Sequence, residues 1–562
     1  MLWSRCLRNS VEKRFFLKGF VYLSLIYFCA YFFGINAQIV GFVDIRNSLL
    51  GFSMLAFVVF ALSYTPLWIG KNALGCLICI SILCFVVDLF CYANFSSNLS
   101  IPMCYALFET TLQESWEFLG LYLNAKTLFL IALFFAMSFV YYRLSFSFVG
   151  KKTYGVFVAI SLIGMINWVV ECHKLFFVNG HPYYTHQNLA YFEPLRIGMN
   201  SFYTIDTKEK TKAEFDSQLT SLKQTLKAQL RKNPIQNIVL LLGESAQRGH
   251  MQLYGYSKPT SPYMIGLQKT KNLLVFDDVV SPHAQTSLSI PKIFTLANYE
   301  NEAQKPWYQR ATLISFFENV GYQTYWISNQ EPASYITPAG MLGSICDNAL
   351  FVSAYKQFHD GELLPHIEKT LRGGGMQKRF LSIHLIGSHN AYGDRYPAGY
   401  GIFEAISSDE KTRKKALYDN AMLYNDNILN EIFKLFSQGD SIVVYLSDHG
   451  EEVYEIDDFV GHGDDHITRF TCEIPMLIYV SDIFIQKHPK IYEKLKASVH
   501  RPYMSDDLIH TVLDIAGIQT PDFDPTRSII NDQFNEKRRR IVGGSNGKDY
   551  DTQLKGQEAK YR

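Results

Sequence analysis

Five long apolar runs crowd the first third of the chain, and they limit its fold more than any other feature. They fall at roughly 15–37, 47–68, 73–93, 127–148 and 154–171. Each approaches the ~20 residues that carry a helix across the hydrocarbon of a bilayer. One such run is an ordinary buried core helix. Five in succession, with almost no charge inside, predict a bundle of transmembrane helices. The first run is too long for a cleavable signal, lacks a small-residue cleavage site and is followed by further runs. Arg5, Arg8, Lys13, Arg14 and Lys18 precede the first run. Lys71 separates the second from the third, and Arg143, Lys151 and Lys152 separate the fourth from the fifth. All fall on one side, which the positive-inside rule makes cytoplasmic. An odd number of spans puts everything after about residue 172 outside, in a bacterium the periplasm.

The remainder has another texture. With 562 residues the chain is too long for one core. A net charge of +1 gives no global footprint for nucleic acid. Between the third and fourth runs, "ALFETTLQESWEFLGLYL" is apolar at helical spacing and acidic opposite. It predicts an amphipathic helix near 103–122, lying at the membrane surface and capping the bundle. Residues 176–234 read as a linker, helical and charged over 207–234. From 235 to 535, short β-prone runs alternate with helical segments: "NIVLLLGES", "TYWISNQ", "FLSIHLIGSH", "SIVVYLSDHG", "IPMLIYVS". That alternation predicts an α/β/α domain with a mostly parallel sheet. Residues 536–562 read as a polar tail. Of ten cysteines, only Cys346 and Cys472 lie well inside the outer domain, where one bridge can form. "CLIC" at 76–79 sits in an apolar helix and reads as packing.

Ligands of open parallel sheets bind at the carboxyl ends of the strands. Here those ends are polar. One run ends on Glu244, another on Asp448-His449, a third on His389, and Thr286 sits in a polar turn between them. Any one alone reads as structural, Asp448 as a helix cap for instance. Together, carboxylates, an imidazole and a hydroxyl make a donor set for zinc in a roughly tetrahedral site. A metal-activated Thr286 hydroxyl then serves as a nucleophile. His250, His283, His384 and His466 are reserve candidates, read first as ordinary packed or polar histidines.

The ordered set "GESAQRGHMQLYGY", "HAQTSLSIPKIF", "IGSHNAYGDRYP", "YLSDHGEEVY" and "GHGDD", behind five apolar runs, resembles the bacterial phosphoethanolamine transferases of the alkaline phosphatase/sulfatase superfamily. The resemblance covers nearly the whole chain. It implies transfer of phosphoethanolamine from phosphatidylethanolamine to an envelope acceptor, usually lipopolysaccharide, by a membrane-bound monomer. It implies zinc on Glu244, Thr286, Asp448 and His449, with Thr286 as nucleophile. His389 and His462 match histidines that contact phosphoryl groups or a second zinc. Asn329 matches a substrate contact, and Thr110 and Glu114 match lipid-head contacts on the surface helix. Ala106 stands where lipid A-modifying members carry Asn, and the outer domain is poor in cysteine. Both departures point toward the branch that modifies core sugars.

Three rivals remain in view. A sulfatase would need a Cys or Ser in a Cys/Ser-x-Pro-x-Arg pattern, which is lacking around Thr286. A glycerol phosphate transferase would use phosphatidylglycerol and share the Thr nucleophile. A non-catalytic membrane-anchored binding protein would be expected to lack one of Glu244, Thr286, Asp448 and His449, and all four are present. The placement is testable: a reporter fused after residue 200 should be active only outside the cytoplasmic membrane, and one near Lys151 only inside. The opposite pattern would invert the topology.

Overall fold

The computed structural model describes residues 10–35, 42–95, 99, 103–104, 107–108, 115–116, 125–143, 151–173 and 193–559, apart from 331–336, 353–358, 374–376, 404–408 and 457. The chain divides into two compact units. One comprises residues 1–108 and 119–207, the other residues 109–118 and 208–562.

In the first unit a helix covers each apolar run: α1 (Ser10–Ile35), α2 (Phe42–Ser63), α3 (Leu67–Phe95), α4 (Ala125–Arg143) and α5 (Lys151–His173). Leu67–Cys91 of α3, 25 residues at a mean hydropathy of 2.7, is long and apolar enough to cross a membrane. Among the described residues the other helices carry shorter apolar stretches, Phe15–Phe28, Gly51–Ser63, Thr127–Arg143 and Tyr154–Asn167. The helices α2 and α5 touch at backbone distance. A Cβ on Gly164 would lie 1.8 Å from the Ser53 carbonyl oxygen. Ser161 Oγ donates to the Ala56 carbonyl at 3.1 Å, and Asn167 Nδ2 donates to Ser53 Oγ at 3.0 Å. Small residues with polar bonds across the contact are how helices associate where burial of apolar surface gives little driving force. A further helix, α6, runs from Glu193 to Thr225.

The second unit is built on a seven-stranded sheet among the described residues. Its strands are β1 (Asn237–Gly243), β2 (Leu273–Phe276), β3 (Gln323–Ser328), β4 (Asn348–Phe351), β5 (Arg379–His384), β6 (Ser441–Ser447) and β7 (Met476–Val480), in the order β2-β7-β6-β1-β5-β3-β4. The five from β6 to β4 are parallel. The strand β7 pairs antiparallel with both β2 and β6, so the sheet is mixed. "IPMLIYVS", expected as one more unit of the βα alternation, is thus the reversed strand. A parallel return needs a crossover across the sheet, and among the described residues the only α-helix between β6 and β7 is Arg469–Cys472.

Both faces are covered, which is why β1 is buried at every residue. Ile238, Leu240 and Leu242 join Ile290, Ile293 and Phe294 of α7 (Thr286–Phe294). Val239 and Leu241 face the other way, toward Tyr418, Met422 and Ile428 of α8 (Glu410–Leu435). Fully burying each Leu or Val is worth ~1.5–3 kcal/mol, so the core of the sheet anchors the strand ends above it.

Residues 536–559 are not a loose polar tail. Ile541–Val542 pairs with Lys548–Asp549, and Tyr550 is buried with its hydroxyl donating to Glu473 at 2.6 Å. Arg538 bridges Asp506 and Asp507, and Arg540 bridges Asp278 and Asp551. The acidic partners Asp278, Asp506 and Asp507 lie far from the run "EKRRR" along the chain, so its ion pairs are not visible in the local sequence. Cys346 and Cys472 are not joined. The thiol of Cys472 instead donates to the Thr468 carbonyl at 3.3 Å.

Two predictions follow from the packing. A Cβ on Gly450 would lie 2.2 Å from the Phe470 carbonyl oxygen. Gly450→Ala should therefore cost about 2–3 kcal/mol, read as a lower thermal midpoint of the detergent-solubilised protein. The second concerns His250, whose Nδ1 lies 2.7 Å from Asp419 Oδ1 and Nε2 2.8 Å from Glu455 Oε1. Burial alone would lower its pKa from 6.5, but the two carboxylates outweigh burial and raise it to about 9. A raised folded-state pKa stabilises fully below the unfolded value, and that stabilisation is lost as pH climbs through the folded value. The midpoint should fall between pH 6.5 and about 9, and His250→Gln should flatten that fall. An unchanged slope in the variant would show that His250 does not carry the dependence.

Candidate active site

Four neighbouring parallel strands, β6, β1, β5 and β3, deliver the candidate residues at their carboxyl ends. Glu244 follows β1 directly, and Asp448-His449 follows β6. The register pairs Gly243 with Ser447, so these two ends lie side by side. Thr286 opens α7, with Gln285 as its cap residue. Its Oγ1 lies 3.3 and 3.2 Å from the two Glu244 oxygens and 3.1 Å from His449 Nε2. The same His449 nitrogen is 3.3 Å from Glu244 Oε1 and 3.3 Å from Asp448 Oδ2. Glu244, Asp448 and His449 are all fully buried.

The electrostatics of this cluster ask for a cation. Asp448 Oδ1 accepts from the backbone N–H groups of Ser245 at 3.2 Å and His449 at 2.8 Å, while Oδ2 is buried without a hydrogen bond. Burial, then the charge of Glu244, pushes Asp448 up to about 7. For His449, burial would lower the pKa, but the Asp448 charge and the bond to Glu244 outweigh burial and raise it to about 10. Glu244 resists its own burial through its hydrogen bond with His449 and the nearby imidazoles, and sits well below the usual carboxylate range. His449 Nδ1 lies 2.8 Å from the Gly450 carbonyl, which can only accept, so Nδ1 keeps its hydrogen and Nε2 is the nitrogen that would give up its proton to a cation. Two carboxylates, an imidazole lone pair and a hydroxyl around one point, with an orphaned carboxylate oxygen, fit a zinc ion.

A second group shares Glu244. Ligand atoms of Glu244, His389 and His462 all lie within 4.8 Å of one another. The His462 ring lies tilted, with its centroid 4.1 Å from that of His449 and 5.9 Å from that of His389. Burial pushes His389 down to about 3, so it stays a neutral lone-pair donor at neutral pH. The His389 loop is pinned from several directions. Asp360 accepts from the N–H groups of Ile386 and Gly387, both at 2.9 Å, and Arg395 Nε donates to the carbonyls of His389 and Asn390 at 3.1 and 2.9 Å. Gly387, at φ 52°, lets this loop press on Glu244, whose carbonyl oxygen a Cβ would meet at 2.7 Å.

Three residues with clear places here were missed in sequence. Gln330 Nε2 donates to Glu244 Oε2 at 2.9 Å, Asp360 holds the His389 loop, and Glu451 Oε2 takes His462 Nδ1 at 2.6 Å. Glu451 had a signal, as the first acid after the Gly of "DHGEE". Asn329, expected to face substrate, turns its amide nitrogen to Asp360 at 2.9 Å. Its neighbour Gln330 makes the contact into the site instead. Thr110 and Glu114 lie outside the described residues. Of the reserve histidines, His283 bonds Asp464 at 2.6 Å and so braces the loop ahead of Thr286, while His250 locks α8. His384 is fully buried beside Trp326, and His466 lies against Phe459. None of the four joins either ligand group.

With this geometry in hand, similarity to known proteins becomes informative. The family model described as Sulfatase matches residues 236–518. The phosphoethanolamine transferase EptC of Escherichia coli (strain K12) is 29% identical over 483 residues, covering 80% of this chain and 81% of that protein. The C-terminal periplasmic domain of EptC from Escherichia coli, solved as a complex with zinc, superposes with a TM-score of 0.55 at 31% identity, over 59% of this chain and 98% of that domain. The integral membrane lipooligosaccharide phosphoethanolamine transferase A from Neisseria meningitidis shares the fold over 90% of this chain and 98% of its own, with a TM-score of 0.64 at 18% identity. The chain belongs to the sulfatase family, and it stands there among the phosphoethanolamine transferases.

Proposed function

We propose that this protein moves phosphoethanolamine from phosphatidylethanolamine to a lipopolysaccharide-type acceptor, with Thr286 carrying the group between them. One observation carries the reading: the Thr286 hydroxyl lies 3.1–3.3 Å from Glu244 and His449 at the first residue of α7. Glu244, Thr286, Asp448 and His449 would hold zinc, which when bound favours the alkoxide form of Thr286 and offsets phosphoryl charge. The hydrogen bond from Thr286 to Glu244 orients the hydroxyl, and the start of α7 turns free N–H groups toward an anion. Thr286 Oγ1 forms a bond to phosphorus as the phosphorus–oxygen bond to diacylglycerol breaks, and the diacylglycerol oxygen leaves with a proton. An acceptor hydroxyl then attacks the same phosphorus, loses its proton, and Thr286 Oγ1 departs. His389 and His462 stand where they can hold the phosphoryl oxygens, His462 through Nε2 because Glu451 occupies Nδ1.

The relatives support the reading. One is named for zinc and another for lipooligosaccharide. The five helices over the apolar runs, with Leu67–Cys91 of spanning length, support an inner-membrane enzyme whose second unit faces the periplasm. Thr286 stands where a sulfate-cleaving relative would need a Cys or Ser, so the family's sulfatase chemistry does not transfer.

Two experiments bear on this. Glu244→Ala, Asp448→Ala and His449→Ala should each strip zinc from the purified protein and end transfer; stoichiometric zinc in all three, by metal analysis, would refute the site. Wild-type protein given phosphatidylethanolamine and no acceptor should carry phosphoethanolamine on the peptide containing Thr286, seen by mass spectrometry. Thr286→Ala should lose transfer outright, and full activity in that variant would end the mechanism.

A further inference from the structure

Ser245 sits between the two buried carboxylates of the site and touches both. Its Oγ donates to Glu244 Oε1 at 2.8 Å, and its backbone N–H donates to Asp448 Oδ1 at 3.2 Å. It makes both bonds from a left-handed backbone, φ 55°, that a serine adopts at some cost. Glycine would take that conformation freely, but it has no hydroxyl to offer Glu244. Something must hold the serine there. The phenol of Tyr418 does so from α8: its hydroxyl donates to the Ser245 carbonyl at 2.7 Å and accepts from the Gln247 N–H at 2.8 Å. These bonds bracket Ser245 and Ala246, and the Ala246 N–H is itself tied to Ser447 Oγ at 2.8 Å. Tyr418 has no freedom to drift. It is fully buried, and the rings of His250 and Tyr392 pack edge-on against it, each at 5.0 Å.

We infer that Tyr418 is a positioning residue for the metal centre, acting through Ser245 to set the spacing and orientation of Glu244 and Asp448. The inference rests on the metal reading proposed above. Without the phenol, the Ser245 peptide is free to relax toward ordinary backbone angles. That rotation withdraws the N–H from Asp448 and the hydroxyl from Glu244 together. Both carboxylates then keep their identity and lose their mutual aim. Groups that orient ligands in this way typically change metal affinity by ~10–100-fold.

The test is a zinc affinity measurement, by competition with a chromophoric chelator, on the full-length protein in detergent. Glu244→Ala serves as the control for the metal reading: zinc held by wild type and lost from this variant supports that reading on its own, and a wild type that holds no zinc overturns both. Given the control, Tyr418→Phe should weaken zinc binding ~10–100-fold, with the thermal midpoint of the metal-free protein close to wild type. Ser245→Ala, which deletes only the hydroxyl, should weaken it several-fold. The double variant should lose less than the product of the two single losses, because Tyr418 works through the residue already altered. Unchanged zinc affinity in Tyr418→Phe, or losses that multiply fully, would overturn the inference. Should Tyr418→Phe fail to fold, Ser245→Ala still decides: wild-type affinity in that variant overturns it as well.

Discussion

The repulsion between Glu244 and Asp448 is the constraint to which the surrounding site residues of the second unit respond. In-register pairing of two parallel strands puts a carboxylate at each of two adjacent ends, both fully buried. Like charges in a low-dielectric interior cannot both ionise unless positive charge lies between them. The surrounding groups answer that demand. His449 supplies an imidazole, Ser245 and Gln330 donate hydrogen bonds, and the remaining orphaned oxygen of Asp448 is left for a cation. The Thr286 hydroxyl lies at the same point, 3.1–3.3 Å from His449 and Glu244.

The loops around this point contain little regular structure, and buried ionic side chains do the work that a ladder of hydrogen bonds does in the sheet. Asp360 gathers two N–H groups of the His389 loop, Arg395 gathers two carbonyls of the same loop, and Asp464 takes both the His283 ring and the Ala284 N–H ahead of Thr286. Each is a charged group spent on backbone. Such bonds are among the stronger ones available in a protein interior, and they hold loop residues to a rigid scaffold.

Much of this was legible in the chain. Glu244, Asp448 and His449 stand out because a buried strand must be apolar, and polar residues at its end need a reason. Thr286, His389 and His462 became legible through ordered motifs. Gln330 and Asp360 did not, because nothing local distinguishes a glutamine that reaches Glu244 from one that reaches water. Asn329 was the more visible residue, and its amide nitrogen goes to Asp360. The reversed strand β7 looked like its parallel neighbours, since burial on both faces erases the alternation that would mark its direction. Residues 536–562 read only as a polar tail, because the partners of their arginines, Asp278, Asp506 and Asp507, come from other parts of the sequence.

Those arginines have a consequence for how the protein is made. Asp278 and the 506–507 pair are synthesised before Arg538 and Arg540, the groups that neutralise them. Glu473, which accepts from Tyr550 and contacts Arg248, lies next to the segment whose Phe470 carbonyl abuts Gly450, beside His449. Until the last strand pair and its arginines are made, Asp278 lacks Arg540, Asp506 lacks Arg538, and Asp507 has only Arg527. The residues of the central sheet are therefore complete before the last braces of the corner beside Gly450 are made.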